Sequence, residues 1–263
     1  IYAVYDLLER LGCRWFFPCA YGEVIPKMDT ITVDDVDVTE RPSFRMRNIM
    51  FTGWMPVTEQ DRADLTKWYD CVKMNTLEGI SQPFDGSVVR LAPPEKYFES
   101  NPEIYALDKN GQRVRTMLCM TNPETVKIAV QTMEDTFRND PAAFTFGFTP
   151  PDGWPMCYCP NCQKELKGFT GKGLGDPSMS EMWFKFVNEI ARQVKKDFPD
   201  HWLITNGYNA RVRPPEGIGE LSDNVAIMSA MLPACTFHPI GDPKCWVRQE
   251  YEEILTRWTD MSR

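Results

Sequence analysis

The chain has 263 residues, enough for one large domain or for one domain carrying the tail of another. It is 43% hydrophobic, and no run approaches the ~18 uninterrupted apolar residues of a membrane helix, so a globular protein without a membrane span is expected. Lys and Arg number 29 against 37 Asp and Glu, and the net charge of −8 is scattered, which argues against a nucleic-acid partner.

The first residues open inside an amphipathic helix. Ile1, Val4, Tyr5, Leu8 and Leu11 share helical spacing, and Gly12 follows as the stop. Upstream sequence is therefore expected to exist, and the lack of a signal peptide says nothing about secretion. After a short apolar run at Arg14–Phe17, the alternation of Ile31, Val33, Val36 and Val38 predicts a strand with a bulge at Asp34-Asp35. Residues 1–40 thus read as the end of a small α/β domain, with the junction at Glu40-Arg41-Pro42.

From residue 41 onward, strands alternate with helices. Strand-like stretches fall at 44–51, 74–79, 116–120, 143–149, 202–206 and 225–230. Helices are predicted over 59–73, from Asn122-Pro123 to about 138, over 180–198 and over 246–261. Residues 80–116 read as irregular, with a type I′ hairpin at Asn110-Gly111. About six strand–helix units imply a parallel sheet, and the expected fold is α/β: a truncated TIM-type (β/α)8 barrel over 41–263. No glycine-rich phosphate loop follows any strand, which counts against a nucleotide fold.

In such a fold, chemistry sits at the C-terminal ends of strands. The segment FTFGFTPPDGWPMCYCPNC runs from a strand into Pro150-Pro151 and then presents Asp152 and Trp154. A carboxylic acid held at a rigid strand end suits acid-assisted cleavage of a glycosidic bond, with Asp152 as general acid or as a sugar-orienting carboxylate. Asp-Gly is equally a plain turn signal. Trp54 and Trp154 are candidate sugar platforms. Arg47, Asn206 and Tyr208 are candidates for binding hydroxyls or a sugar carboxylate, and Glu78 is the next best carboxylate. His238 is placed to bind sugar hydroxyls, bind a metal or brace its loop.

Nine cysteines are too few for a small disulfide scaffold. Cys157, Cys159 and Cys162 form C-x-C-x-x-C. A second group is Cys235-x-x-His238, with Cys245 further on. Structural zinc needs four ligands, and the second group is one source of the missing one. Disulfides within the first loop and between Cys235 and Cys245, free thiols, and a Cys159–Cys162 redox pair stay open as alternatives.

The opening YAVYDLLERLGCRWFFP…GEVIP resembles the end of the N-terminal domain in family 67 α-glucuronidases. Asn101–Leu107, Leu118–Glu124, the Asp152…Cys162 loop, Cys235-x-x-His238 and Asp242-x-x-Cys245 resemble the bacterial DUF4838 family. The resemblance covers nearly the whole chain. It implies a glycoside-hydrolase-like protein related to the family 67 and family 20 group, exported to the periplasm, cell surface or medium and acting on a polysaccharide or oligosaccharide. Those families carry a catalytic acid at the end of the fourth strand, where this chain has Asp152. Family 20 enzymes have an Asp-Glu pair there, whereas this chain has Pro151-Asp152-Gly153. The rival expectation is a non-catalytic carbohydrate-binding or surface protein. No cofactor is expected beyond a possible structural zinc.

Overall fold

The computed structural model describes residues 1–33, 35–44, 46–49, 58–75, 80–81, 83, 85–152, 157–166, 178–230 and 235–262. The chain divides into two compact units, Ile1–Glu78 and Gly79–Arg263.

The first unit begins with helix α1 (Tyr2–Arg10), as the apolar spacing predicts. Gly12 follows it at a φ of +93°, a backbone setting open to glycine at little cost. A short antiparallel pair comes next, β1 (Arg14–Trp15) with β2 (Glu23–Val24). Helix α2 (Glu59–Cys71) starts at a capping box, in which the Thr58 side chain accepts from the Asp61 amide and Asp61 accepts from the Thr58 amide. The strand expected over residues 31–38 does not form among the described residues. Ile31, Val33, Val36 and Val38 are exposed and no ladder pairs them. The expected strands at 44–51 and 74–79 reduce, where described, to one antiparallel bridge between Arg47 and Asn75.

The second unit holds the larger core. Helical turns at Ser87–Leu91 and Pro102–Ile104 flank the one-turn helix α3 (Pro94–Tyr97). An antiparallel hairpin follows, β3 (Tyr105–Leu107) with β4 (Arg113–Leu118). Its turn is not type I′. Only Gly111 takes a positive φ (+80°), and the Asp108 carboxylate accepts from the amides of Asn110 (2.8 Å) and Gln112 (2.7 Å). An aspartate that caps its own turn thus replaces the left-handed asparagine.

Helix α4 (Pro123–Asn139) begins where predicted, with Asn122 accepting from the Glu124 amide at 3.0 Å. After it come β5 (Thr145–Gly147), α5 (Pro160–Glu165), α6 (Ser180–Val194), β6 (Trp202–Tyr208), β7 (Val225–Ala230) and α7 (Trp246–Met261). The three strands form one parallel sheet in the order β5-β6-β7.

Helix α6 is the centre of the core. It buries Met182, Trp183, Phe184, Phe186, Val187, Ile190 and Val194, and α4 packs on it through Ile128, Ala129, Met133 and Phe137. The α6 and α7 helices lie against one face of β6: Trp183 Nε1 donates to Thr205 Oγ1 (3.2 Å), and the Trp258 ring closes on Gly207. The other face of β6 carries Ile204, Asn206 and Tyr208, all half-buried.

The described strands do not make a barrel. They form sheets of two, two and three strands, and none closes. The alternating pattern from residue 41 reports which side chains face inward, but not which strand pairs with which. Two of the stretches counted as barrel strands meet in an antiparallel bridge, and a third belongs to the hairpin. Among the described residues, three of the six join the parallel sheet.

Candidate active site and metal centre

The C-terminal edge of the parallel sheet gathers several of the polar residues singled out by the sequence. Past β5, the ladder continues through the Phe148 amide to the Ile204 carbonyl (3.0 Å). Thr149 is then fixed from both sides: its amide donates to Ser87 Oγ (3.0 Å) and its hydroxyl donates to Asn206 Oδ1 (3.0 Å). The rigid Pro150-Pro151 step follows and delivers Asp152, which is exposed. The Asp152 amide donates to Asp85 Oδ1 at 2.5 Å, so a second carboxylate stands within one residue's reach.

Within electrostatic reach of these acids lies Arg211, only 2% exposed. Its Nη2 donates to Asn206 Oδ1 (3.1 Å), and its guanidinium sits 5.7 Å from the centre of the Trp183 ring. Its Nε and Nη1 make no hydrogen bond among the described residues. Burial pushes this arginine down to about 10, against the opposing pull of Asp152, Tyr208 and Asp85. A guanidinium stays charged in proteins. An unmet buried N–H costs on the order of 1–3 kcal/mol, so a free pair beside two carboxylates calls for an explanation. Arg211 and Asp85 were not singled out by the sequence. Their signals were slight: a polar residue soon after the Asn206–Tyr208 strand end, and an Asp-Gly turn.

The other predicted site residues divide. Asn206 and Tyr208 are at this edge. Trp54, Glu78 and Trp154 lie outside the described residues. Arg47 belongs to the first unit, where its Nε donates to the Lys73 carbonyl (2.8 Å) and its Nη1 to the Phe44 carbonyl (2.6 Å). There it lines a cleft with Asp6, Arg10 and Lys73. His238 is exposed on the loop after β7; its Nδ1 lies 3.1 Å from Cys235 Sγ, and its carbonyl accepts from Arg248 Nε (2.8 Å). The imidazole pulls the Cys235 thiol down to about 6.

None of the nine cysteines is in a disulfide. Cys157, Cys159 and Cys162 instead converge with Cys119, just past β4, so that all four sulfurs lie within 4.8 Å of one another. Cys119 Sγ is 3.7 Å from Cys159 Sγ and 3.8 Å from Cys162 Sγ, far beyond the ~2.05 Å of a disulfide. Zinc bonded to four sulfurs at about 2.3 Å sets them about 3.8 Å apart. The residues therefore fit a tetrahedral metal.

Backbone amides donate to two of the four sulfurs. The Leu107 amide donates to Cys157 Sγ (3.3 Å), and Cys159 caps α5 by accepting from the Cys162 amide (3.4 Å). Hydrogen bonds from Cys119 and Cys162 hold Cys157 well below the usual thiol range. Cys162 is pushed far up, first by its bond with Cys119, and Cys119 rises to about 11, first through Cys157. Crowded sulfurs cannot all ionise without a cation among them. The donor that completes this set of four is Cys119, not a member of the Cys235 group. The signal for it was the three-cysteine motif itself, one donor short of a closed site.

The family model for a domain of unknown function, DUF4838, matches residues 17–263. The chain belongs to the DUF4838 family. No curated protein and no solved structure matches it significantly. Among the described residues of this DUF4838 chain, no helix is long and apolar enough to cross a membrane.

Proposed function

We propose that this DUF4838 chain is a glycoside-hydrolase-like protein that takes a saccharide at the C-terminal edge of the β5-β6-β7 sheet. One observation carries the reading. Arg211 lies buried there with two unmet donors, under the charge of Asp152 and Asp85 and bonded to Asn206. A cation bonded to an amide and within electrostatic reach of two carboxylates offers donors and acceptors matched to sugar hydroxyls. In this reading Asp152 protonates the glycosidic oxygen or orients a hydroxyl, and Asp85 supplies the second carboxylate that glycoside hydrolysis requires.

The four-cysteine cluster, read as a structural zinc site, supports that edge from behind. Cys119, Cys157, Cys159 and Cys162 would hold the ion, which would supply a fixed tetrahedral crosslink and no chemistry toward substrate. The crosslink ties the loop that starts at Asp152 to the β3–β4 hairpin, where the Tyr158 amide already donates to the Leu107 carbonyl at 2.8 Å. A redox role for Cys159 and Cys162 is disfavoured, because Cys162 is buried and both sulfurs face Cys119.

The exposure of Asp152 favours a second reading, in which the same edge binds sugar without cleaving it. Asp152→Asn separates the two. Purified protein is incubated with neutral and uronic-acid-containing oligosaccharides, and reducing ends are counted. Hydrolysis predicts turnover in the parent and a loss of at least ~100-fold in the variant, with binding retained. Binding without turnover in the parent assigns the non-catalytic role. Neither binding nor turnover rejects the proposal.

A further inference from the structure

The loop after β7 carries a second convergence of metal donors, separate from the four cysteines. Cys235 Sγ, a ring nitrogen of His238 and Cys245 Sγ all lie within 4.8 Å of one another. The three come from different kinds of position. Cys235 and His238 sit three residues apart on an exposed loop, and Cys245 is the buried N-cap residue of α7.

The loop is built to hold this arrangement. Gly241 turns the chain at a φ of +82°. The Cys245 amide donates to the Asp242 carbonyl (3.1 Å), and the Asp242 side chain accepts from the Lys244 amide (2.8 Å). Arg248, one turn into α7, reaches back to the His238 carbonyl. These bonds bring residues 235–238 back onto the start of the helix, and the His238 ring presents Nδ1 to the Cys235 sulfur.

We infer that Cys235, His238 and Cys245 form a second zinc site, with three protein ligands among the described residues and a fourth position left to water or another small ligand. Two sulfurs and one imidazole nitrogen are a donor set that selects zinc over magnesium or calcium. Tetrahedral zinc with bonds of about 2.3 Å to sulfur and 2.0–2.1 Å to nitrogen sets such donors about 3.5–3.8 Å apart. The Cys235 sulfur and the His238 nitrogen already stand 3.1 Å apart, and all three donors lie within 4.8 Å of one another. A closed structural site would bring four ligands, as the other cluster does. This one combines two partly or wholly exposed ligands with a buried anchor, the pattern of a site open to solvent. It emerges from the same sheet edge as the loops bearing Asp152 and Arg211.

The test is metal content per chain, measured on the full protein purified in reducing buffer and dialysed against metal-free buffer after zinc loading. Two zinc ions per chain are expected. His238→Gln and Cys235→Ser should each lower the content to one, while Cys119→Ser should independently remove the other. Far-UV circular dichroism of the two loop variants should be unchanged, since both residues are surface-accessible. As a second readout on the unmodified protein, zinc should protect Cys235 from alkylation by N-ethylmaleimide, and a chelator should restore its reactivity. A content of one zinc that His238→Gln leaves unchanged would overturn the inference. So would a Cys235–Cys245 disulfide in the reduced-buffer preparation, or alkylation of Cys235 at the same rate with and without zinc.

Discussion

Arg211 is held at an energetic disadvantage that its neighbours only partly offset. It has one hydrogen bond to Asn206, a tryptophan face beneath it and two donors with no acceptor. Replacing a buried, incompletely paired charge by an apolar side chain of similar length is often neutral or stabilising. Arg211→Met is therefore expected to leave urea stability within about 1 kcal/mol of the parent or above it. Saccharide binding by calorimetry should fall at least tenfold, about 1.4 kcal/mol. Lost stability with unchanged binding would mark Arg211 as a structural residue. The sequence shows Asn206 and Tyr208 at this edge because they end a clear strand. It hides Arg211 because an arginine three residues past a strand looks like any surface cation until burial is known. Cys119 is hidden for a related reason: 37 residues lie between it and Cys157, and only the folding of the hairpin against the loop brings the sulfurs together.

Among the elements, β6 and α7 meet closely at Gly207. A Cβ on Gly207 would stand 3.2 Å from the Trp258 ring, which is itself fixed by Nε1 donating to the Val212 carbonyl at 2.9 Å. The ring cannot retreat without breaking that bond. Gly207→Ala is expected to cost about 1–3 kcal/mol in chemical denaturation, and an unchanged midpoint would show that the helix shifts freely. Helices α4, α6 and α7 were legible in the sequence because their apolar residues recur at 3.6-residue spacing over four or more turns. Their caps were legible too, notably Asn122-Pro123. Strands were less so. Ile31–Val38 alternates like a strand yet finds no partner among the described residues, and Asn110-Gly111 makes a hairpin through a different turn. Alternation and turn signals act over a few residues, whereas strand pairing is decided by segments far apart in sequence.

At the scale of the whole molecule, the second unit combines a three-stranded parallel sheet, a helical layer on one face and two cysteine-rich loops leaving one edge. Among the described residues the expected barrel is replaced by separate sheets of two, two and three strands, and its first stretches meet only in an antiparallel bridge. Asn206 and Tyr208 still stand at the C-terminal end of a parallel strand, and Asp152 still follows another, because those placements depend only on parallel strands and the loops after them. The most direct test of the account is a map of where sugar binds. The 15N-labelled protein, loaded with zinc, is titrated with a mixture of neutral and acidic oligosaccharides, and amide shifts are followed residue by residue. Saturable shifts concentrated at Thr149, Asp152, Asn206, Gly207, Tyr208 and Arg211 are expected. Shifts confined to residues 1–78, or no saturable shift with any sugar, would contradict this expectation.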